Sequence, residues 1–158
     1  MRPLAVFDID GVLADVSHRV HFLEGRRPDW GGFFAAAVDD APLPEGLALV
    51  AEAHKECEVA YLTGRPERCR PDTTDWLRDQ ALPEGTLAMR ADGDHRPARR
   101  VKPALLRQLA RGRVVAVVVD DDKEVCDAYE RAGWTVLRAG WATRSPALRR
   151  AQEDEGRT

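Results

Sequence analysis

The order of apolar runs along this chain predicts an α/β protein built on a doubly wound parallel sheet, with a small flap or cap inserted after the first strand. Three observations carry that expectation. Short apolar runs alternate with helical stretches, the pattern of a parallel sheet covered on both faces. Three of the runs stop at polar residues able to do chemistry: Leu4–Phe7 at Asp8 and Asp10, Glu58–Leu62 at Thr63-Gly64-Arg65, and Val114–Val119 at Asp120-Asp121. The length, 158 residues, with 44% apolar and 32% charged residues, suits one domain with a single well-filled core.

Totals narrow the class further. No run of about 18 apolar residues and no basic-then-apolar leader occurs, so neither a membrane span nor a secretory signal is expected. Cys57, Cys69 and Cys126 are an odd count without CxxC spacing, which speaks for a reducing cytoplasm rather than a disulfide framework. A net charge of −3 excludes a strongly basic nucleic-acid binder, although one local basic run, His95 to Lys102, stands out.

Leu4 to Phe7 reads as a buried strand. Residues two apart on extended chain share a side, so Asp8 and Asp10 converge on one point, and Gly11 turns the backbone away. The polar stretch that follows carries His18, Arg19, His21, Arg26 and Arg27 and is broken by Gly25 and Pro28, as expected of a flap; its histidines and His95 read as surface residues rather than ligands. Asp29 caps a short helix whose packing face is Trp30, Phe33 and Phe34. An amphipathic helix spans Glu45 to Glu56.

After the second strand, Thr73 to Gln80 is helical and Thr86 to Met89 is a short strand. Arg90 to Arg100 is turn-rich, and Pro103 in a first turn opens a helix to Ala110. Val114 to Val119 is the strongest strand signal; Lys123 to Arg131 is helical until Gly133, and Trp134 to Leu137 is a last strand. Ser145-Pro146 can start a short helix, and Glu153 to Thr158 reads as a frayed tail.

In a parallel sheet the three strand ends lie on one edge and share a crevice. Four carboxylates gathered there repel unless a cation joins them, and Mg²⁺ with its preference for oxygen ligands suits Asp8, Asp10, Asp120 and Asp121.

These motifs resemble the haloacid dehalogenase-like (HAD) phosphohydrolases: Asp8-Ile9-Asp10-Gly11 looks like their DxDG signature, Thr63 like their Ser/Thr, Lys102 like their phosphate-binding lysine, and Asp120-Asp121 like their acidic pair. The resemblance covers about Leu4 to Leu137. Thr63-Gly64-Arg65, Met89-Arg90 with Gly93 to Arg96, and Val101-Lys102 look closer still to the 3′-phosphatase domain of bacteriophage-type polynucleotide kinase-phosphatases, although no G-x-x-x-x-G-K-[ST] loop of a kinase half occurs.

The resemblance implies a Rossmann-like HAD domain over about residues 1–140, with its flap or cap at about 15–42 and a C-terminal tail at 141–158. It implies a Mg²⁺-dependent phosphomonoesterase acting on a phosphorylated nucleotide or a nucleic-acid 3′ end, as in nucleic-acid repair. In that reading Asp8 is the nucleophile, ionised at neutral pH, and forms an aspartyl-phosphate. Asp10 is the acid and base, protonated in the resting complex, which neighbouring carboxylates and a bound phosphate dianion favour. Thr63, Gly64, Arg65 and Lys102 hold the phosphoryl group, and Asp121 with Asp120 holds the metal. Arg19, Arg96, Arg99 and Arg100 are further cations for a nucleic-acid backbone.

Two other readings compete. A phosphatase for nucleoside 5′-monophosphates or sugar phosphates fits the same motifs. A phosphoacceptor receiver domain also gathers acids, a Thr and a Lys-Pro at a sheet edge, but there the Lys ends a strand, whereas the polar residues 94–100 precede Lys102.

Overall fold

The computed structural model describes residues 1–158. In chain order its elements are β1 (Leu4–Phe7), β2 (Ala14–Asp15), α1 (Trp30–Ala35), β3 (Ala41–Pro42), α2 (Pro44–Ala53), β4 (Glu58–Pro66), α3 (Arg70–Asp79), β5 (Leu87–Arg90), α4 (Ala98–Leu109), β6 (Val115–Asp120), α5 (Lys123–Arg131), β7 (Val136–Arg138) and α6 (Pro146–Arg149). The main sheet is parallel throughout, in the order β5-β4-β1-β6-β7. This is the doubly wound arrangement that the alternation predicts.

Side-chain alternation along the strands explains why both faces are covered. Ala5, Phe7, Val59, Tyr61 and Val119 point to one face and pack with Val50 of α2 and with Trp76 and Leu77 of α3. Leu4, Val6, Ala60, Leu62 and Val118 point to the other, against Ala98 and Leu106 of α4 and Val125 and Tyr129 of α5. Helices covering both faces let the strands be apolar on both sides, as Val115–Val119 is.

The pair β2–β3 is antiparallel and only two residues deep on each side, and it brackets the flap between them. Inside the flap Asp29 accepts a hydrogen bond from the Gly32 amide at 2.8 Å, the N-cap expected of it, and Phe33 and Phe34 are buried.

Three local expectations are corrected. Helix α4 begins at Ala98 and takes Pro103 into its interior; burial of Ala98, Val101, Lys102 and Leu106 on one stripe outweighs the amide hydrogen bond that proline forgoes. Strand β4 runs on to Pro66, so Thr63, Gly64 and Arg65 belong to its bulged end rather than to a turn beyond it. The C-terminal segment is not frayed: Ala147, Leu148 and Ala151 join Val16, Val20, Leu23, Phe33 and Phe34 of the flap in a third apolar cluster, and Gln152, Glu153 and Thr158 are buried.

Candidate active site

Asp8 and Asp10 leave the C-terminal end of β1 at the sheet edge, where an open α/β sheet presents its crevice. Gly11 then adopts φ +80°, and a Cβ there would lie 2.0 Å from an Asp121 carboxylate oxygen. Only glycine permits both the turn and that approach. Asp8 meets the α4 side of the sheet. Lys102 Nζ lies 3.1 Å from Asp8 Oδ1 and donates to Asp120 Oδ2 at 2.7 Å. Asp120 Oδ1 in turn accepts from the Asp122 amide at 2.9 Å. Burial, then the charge of Asp120, pushes the Asp8 carboxyl up, and Lys102 opposes them. Burial and Asp120 likewise raise Asp121 to about 6.

Asp10 turns to the flap. Its Oδ1 accepts from Arg65 Nη2 at 2.6 Å, from Arg65 Nε at 3.0 Å and from Arg19 Nη2 at 3.2 Å. Both guanidiniums also donate to Asp40, Arg19 Nε at 2.8 Å and Arg65 Nη2 at 3.1 Å. Two buried arginines thus face two buried carboxylates, a balanced group that spans flap and sheet. Burial raises the Asp10 carboxyl, but Arg65 and Arg19 outweigh it and hold it low.

Four strand- and helix-borne groups of the expected phosphatase motifs therefore meet at one crevice: Asp8, Asp10, Lys102 and the Asp120-Asp121 pair. A sequence model of the polynucleotide kinase PNKP phosphatase domain matches residues 3–140. The chain belongs to this family. It is a phosphatase of the HAD type. Among curated proteins no match is found.

Solved structures agree on the fold of this PNKP-type domain. A chain from a Pnkp1/Rnl/Hen1 complex superposes with a TM-score of 0.73 at 22% identity, over 90% of this chain and 48% of its own, so the PNKP-type chain spans about half the length of that relative. A haloacid dehalogenase-like hydrolase from Streptococcus pneumoniae gives 0.63 at 13% identity, covering 97% and 92%. A HAD family enzyme from Bacteroides thetaiotaomicron, solved with magnesium and inorganic phosphate, gives 0.57 at 10% identity, covering 94% and 99%.

The residues present fit a hard divalent cation. Carboxylate oxygens of Asp8, Asp120 and Asp121 lie within 4.8 Å of one another. Asp8 Oδ2 and both oxygens of Asp121 are buried without a hydrogen-bond partner. Against these three acids stand Lys102 and Arg144, whose Nη1 is 3.2 Å from Asp121 Oδ2 but not aligned for a hydrogen bond. All the donors are oxygen, the set Mg²⁺ prefers.

Other expected site residues sit differently. Arg65 is buried and donates to Asp10, Asp40 and Thr73, so the neighbouring carboxylates, which the sequence does not reveal as its partners, hold its guanidinium here. Arg19 is completely buried on Asp10 and Asp40, with its guanidinium 4.3 Å from the Phe33 ring, and is withdrawn from any backbone contact. Without a bound phosphate the Asp10 carboxyl is held low, because its nearest neighbours are cations and not the carboxylates of the acidic pair.

Thr63 is buried at the strand end, and its Oγ1 accepts from the Arg65 amide at 3.2 Å. Gly64 lets the chain pass: a Cβ there would meet the Thr158 carbonyl carbon at 2.3 Å. Arg96 pairs with Asp94 at 2.8 Å, Arg99 pairs with Glu153 at 2.8 Å, and Arg100 is exposed. His18 Nε2 lies 2.6 Å from Asp40 Oδ1 and helps pin the flap. Sequence reasoning missed Asp40, Arg144 and Glu153, which lie in no motif and reach the site only through the packing of flap and tail. It also missed what Arg90 does: its guanidinium gathers the carbonyls of Gly64, Asp94, Arg96 and Thr158.

Proposed function

We propose that the chain is a Mg²⁺-dependent phosphomonoesterase that forms an aspartyl-phosphate on Asp8 and removes 3′-phosphates from nucleic-acid ends. The observation that carries the reading is Asp8 Oδ2: a buried carboxylate oxygen without a partner, at a strand end, with an ammonium on its sister oxygen. Such an oxygen is free to attack while Lys102 fixes the carboxylate. The Asp8 Oδ–phosphorus bond forms as the bond from phosphorus to the leaving ester oxygen breaks, and that oxygen takes a proton.

Asp10 is the nearby group to supply the proton and later to accept one from the water that cleaves the acyl phosphate. Arg65 and Arg19 hold it ionised in the free protein, the state that the second role needs. For the first role it gains its proton as a phosphate dianion enters beside it and opposes its charge. Asp8, Asp120 and Asp121 would hold Mg²⁺, which supplies positive charge to the phosphoryl oxygens when bound. Thr63 and Lys102 stand ready as further donors, and Lys102 stays charged because Asp120 and Asp8 outweigh the effect of its burial.

A 3′ nucleic-acid end is favoured by the PNKP phosphatase-domain family and by the exposed arginines Arg96, Arg99 and Arg100, which immediately precede the lysine helix turn. The cytoplasm is the compartment this reading favours, since all three cysteines are free. The test is phosphate release from 3′-phosphorylated oligonucleotides, 5′-phosphorylated oligonucleotides, nucleoside 5′-monophosphates and sugar phosphates in parallel. Preference for the first supports the proposal; preference for sugar phosphates or 5′-monophosphates overturns the substrate and leaves the chemistry.

A further inference from the structure

On the outer face of α4 and α5 lies a groove of about 530 Å³ that none of Asp8, Asp10 or Asp121 lines. Its walls are Arg96, Arg99, Arg100 and Arg107 from the α4 segment and Arg131 from α5, and no carboxylate lines it. All five arginines are exposed. Arg96 and Arg99 are paired with Asp94 and Glu153, whereas Arg100, Arg107 and Arg131 have no acidic partner. In a chain of net charge −3 this is a concentration of free positive charge. The acids of α5 do not neutralise it: Glu124, Asp127 and Glu130 are engaged by Arg149, Lys123 and Arg138.

Arg99 and Arg100 of the groove share the first turns of α4 with Lys102, which lies 3.1 Å from Asp8 in the crevice. Along α4, from Arg99 to Arg107 is eight residues, about 12 Å at helical rise. A stacked nucleic-acid strand carries a phosphate about every 3.4 Å, so four to five phosphates span that distance. The floor is formed by small apolar residues such as Ala104 and Ala128, and no aromatic ring is present for bases to stack on.

We propose that this groove is a sequence-independent track for a single nucleic-acid strand, holding the backbone up to about five nucleotides from the end that enters the crevice. Guanidinium forks suit phosphodiesters, and the cations lead along α4 to the turn that carries Lys102, as a strand entering the crevice by its end requires. The proposal rests on the nucleic-acid reading above, but binding tests it without turnover.

The experiment measures fluorescence anisotropy of labelled oligothymidylates of two to ten residues ending in a 3′-phosphate, in EDTA. Wild-type affinity is expected to rise with length and level off near six residues. Arg107→Glu with Arg131→Glu should weaken the ten-mer at least tenfold and leave the dinucleotide within twofold. The slope of log affinity against log salt should fall by roughly 1.4, two phosphates at about 0.7 each for single strands.

Arg2→Glu with Arg78→Glu changes the net charge by the same four units at positions that do not line the groove and should leave the ten-mer within twofold. Arg107→Ala with Arg131→Ala repeats the test with a gentler change, and thermal melts confirm that each variant folds. Equal weakening by both charge-reversed pairs, or an affinity independent of length, overturns the track. So does displacement of the ten-mer by poly-glutamate of matching charge at equal concentration, which would mark an acidic protein surface as the occupant. If 3′-phosphate release fails while the groove pair still weakens long strands selectively, the substrate assignment falls and the track stands.

Discussion

Asp8 and Asp10 are separated by one residue, yet the regions they enter differ in almost every physical respect. Asp8 faces other acids, a single lysine and two Asp121 oxygens without partners, and its carboxyl is pushed up. Asp10 faces two arginines already shared with Asp40, and its carboxyl is held low. One half of the crevice is short of positive charge and the other is balanced. Two titratable groups pushed apart by their surroundings are suited to different tasks, the unbalanced one to binding a cation and attacking, the balanced one to moving protons.

The strongest way to break that comparison is to exchange the two side chains' fates. Asp8→Asn removes the oxygen proposed to attack and should lower kcat by about 10⁴-fold or more in a phosphate-release assay, with the melting temperature kept. Turnover within tenfold of wild type would refute the covalent step. Next in size is Arg65→Met, which leaves Asp10 and Asp40 buried with one guanidinium between them. Breaking a buried pair costs about 3–5 kcal/mol, roughly 10 °C in a chain of this length, and calorimetry should show it. An unchanged melting temperature would mean that Arg19 alone balances both acids.

The unbalanced half is tested through its metal. EDTA should silence the enzyme and Mg²⁺ should restore it. Because Asp121 takes up its proton at about 6 without the metal, protons compete with Mg²⁺ below that pH. The half-saturating Mg²⁺ concentration should rise up to about tenfold per pH unit there, and Asp121→Asn should weaken this dependence while raising the concentration throughout.

The smallest effect concerns Glu153, raised from 4.5 to about 8 by burial and by the Asp122 carboxylate beside it. Between those values the folded protein holds a proton that the unfolded chain has released, so stability is greatest at the acid end and falls as pH rises towards 8. Glu153→Gln should flatten the curve of melting temperature against pH and raise it by a few degrees at pH 8.5. A wild-type curve already flat from pH 5 to 8.5 would sink the assignment.

The groups on the sheet were legible because strand ends are legible: an apolar run that stops at Asp8 or Asp120 fixes both the element and the edge on which the acid stands. Lys102 was found by its motif, although its helix starts five residues earlier than Pro103 suggested. Arg65 was located correctly and its partners were not, since a sequence displays a donor without the acceptors that tertiary packing brings to it. Asp40 comes from the far end of the flap, 30 residues from Asp10 along the chain, and Glu153 from a tail whose local pattern is weak. No periodicity links such residues to the crevice; only the shared apolar cluster of flap and tail does.

Strand order has a further consequence for how the chain is made. The central strand β1 is flanked by β4 and β6, so its hydrogen-bonding neighbours begin at residues 58 and 115. A ribosome adding about 5–20 residues per second finishes β6 roughly 6 to 20 seconds after β1. For that interval an apolar four-residue strand waits with at least one edge unpaired, and distant pairings of this kind are slow to form even afterwards. The segment that brings Asp8 and Asp10 to the crevice is therefore the one most exposed to wrong partners while the protein is being born.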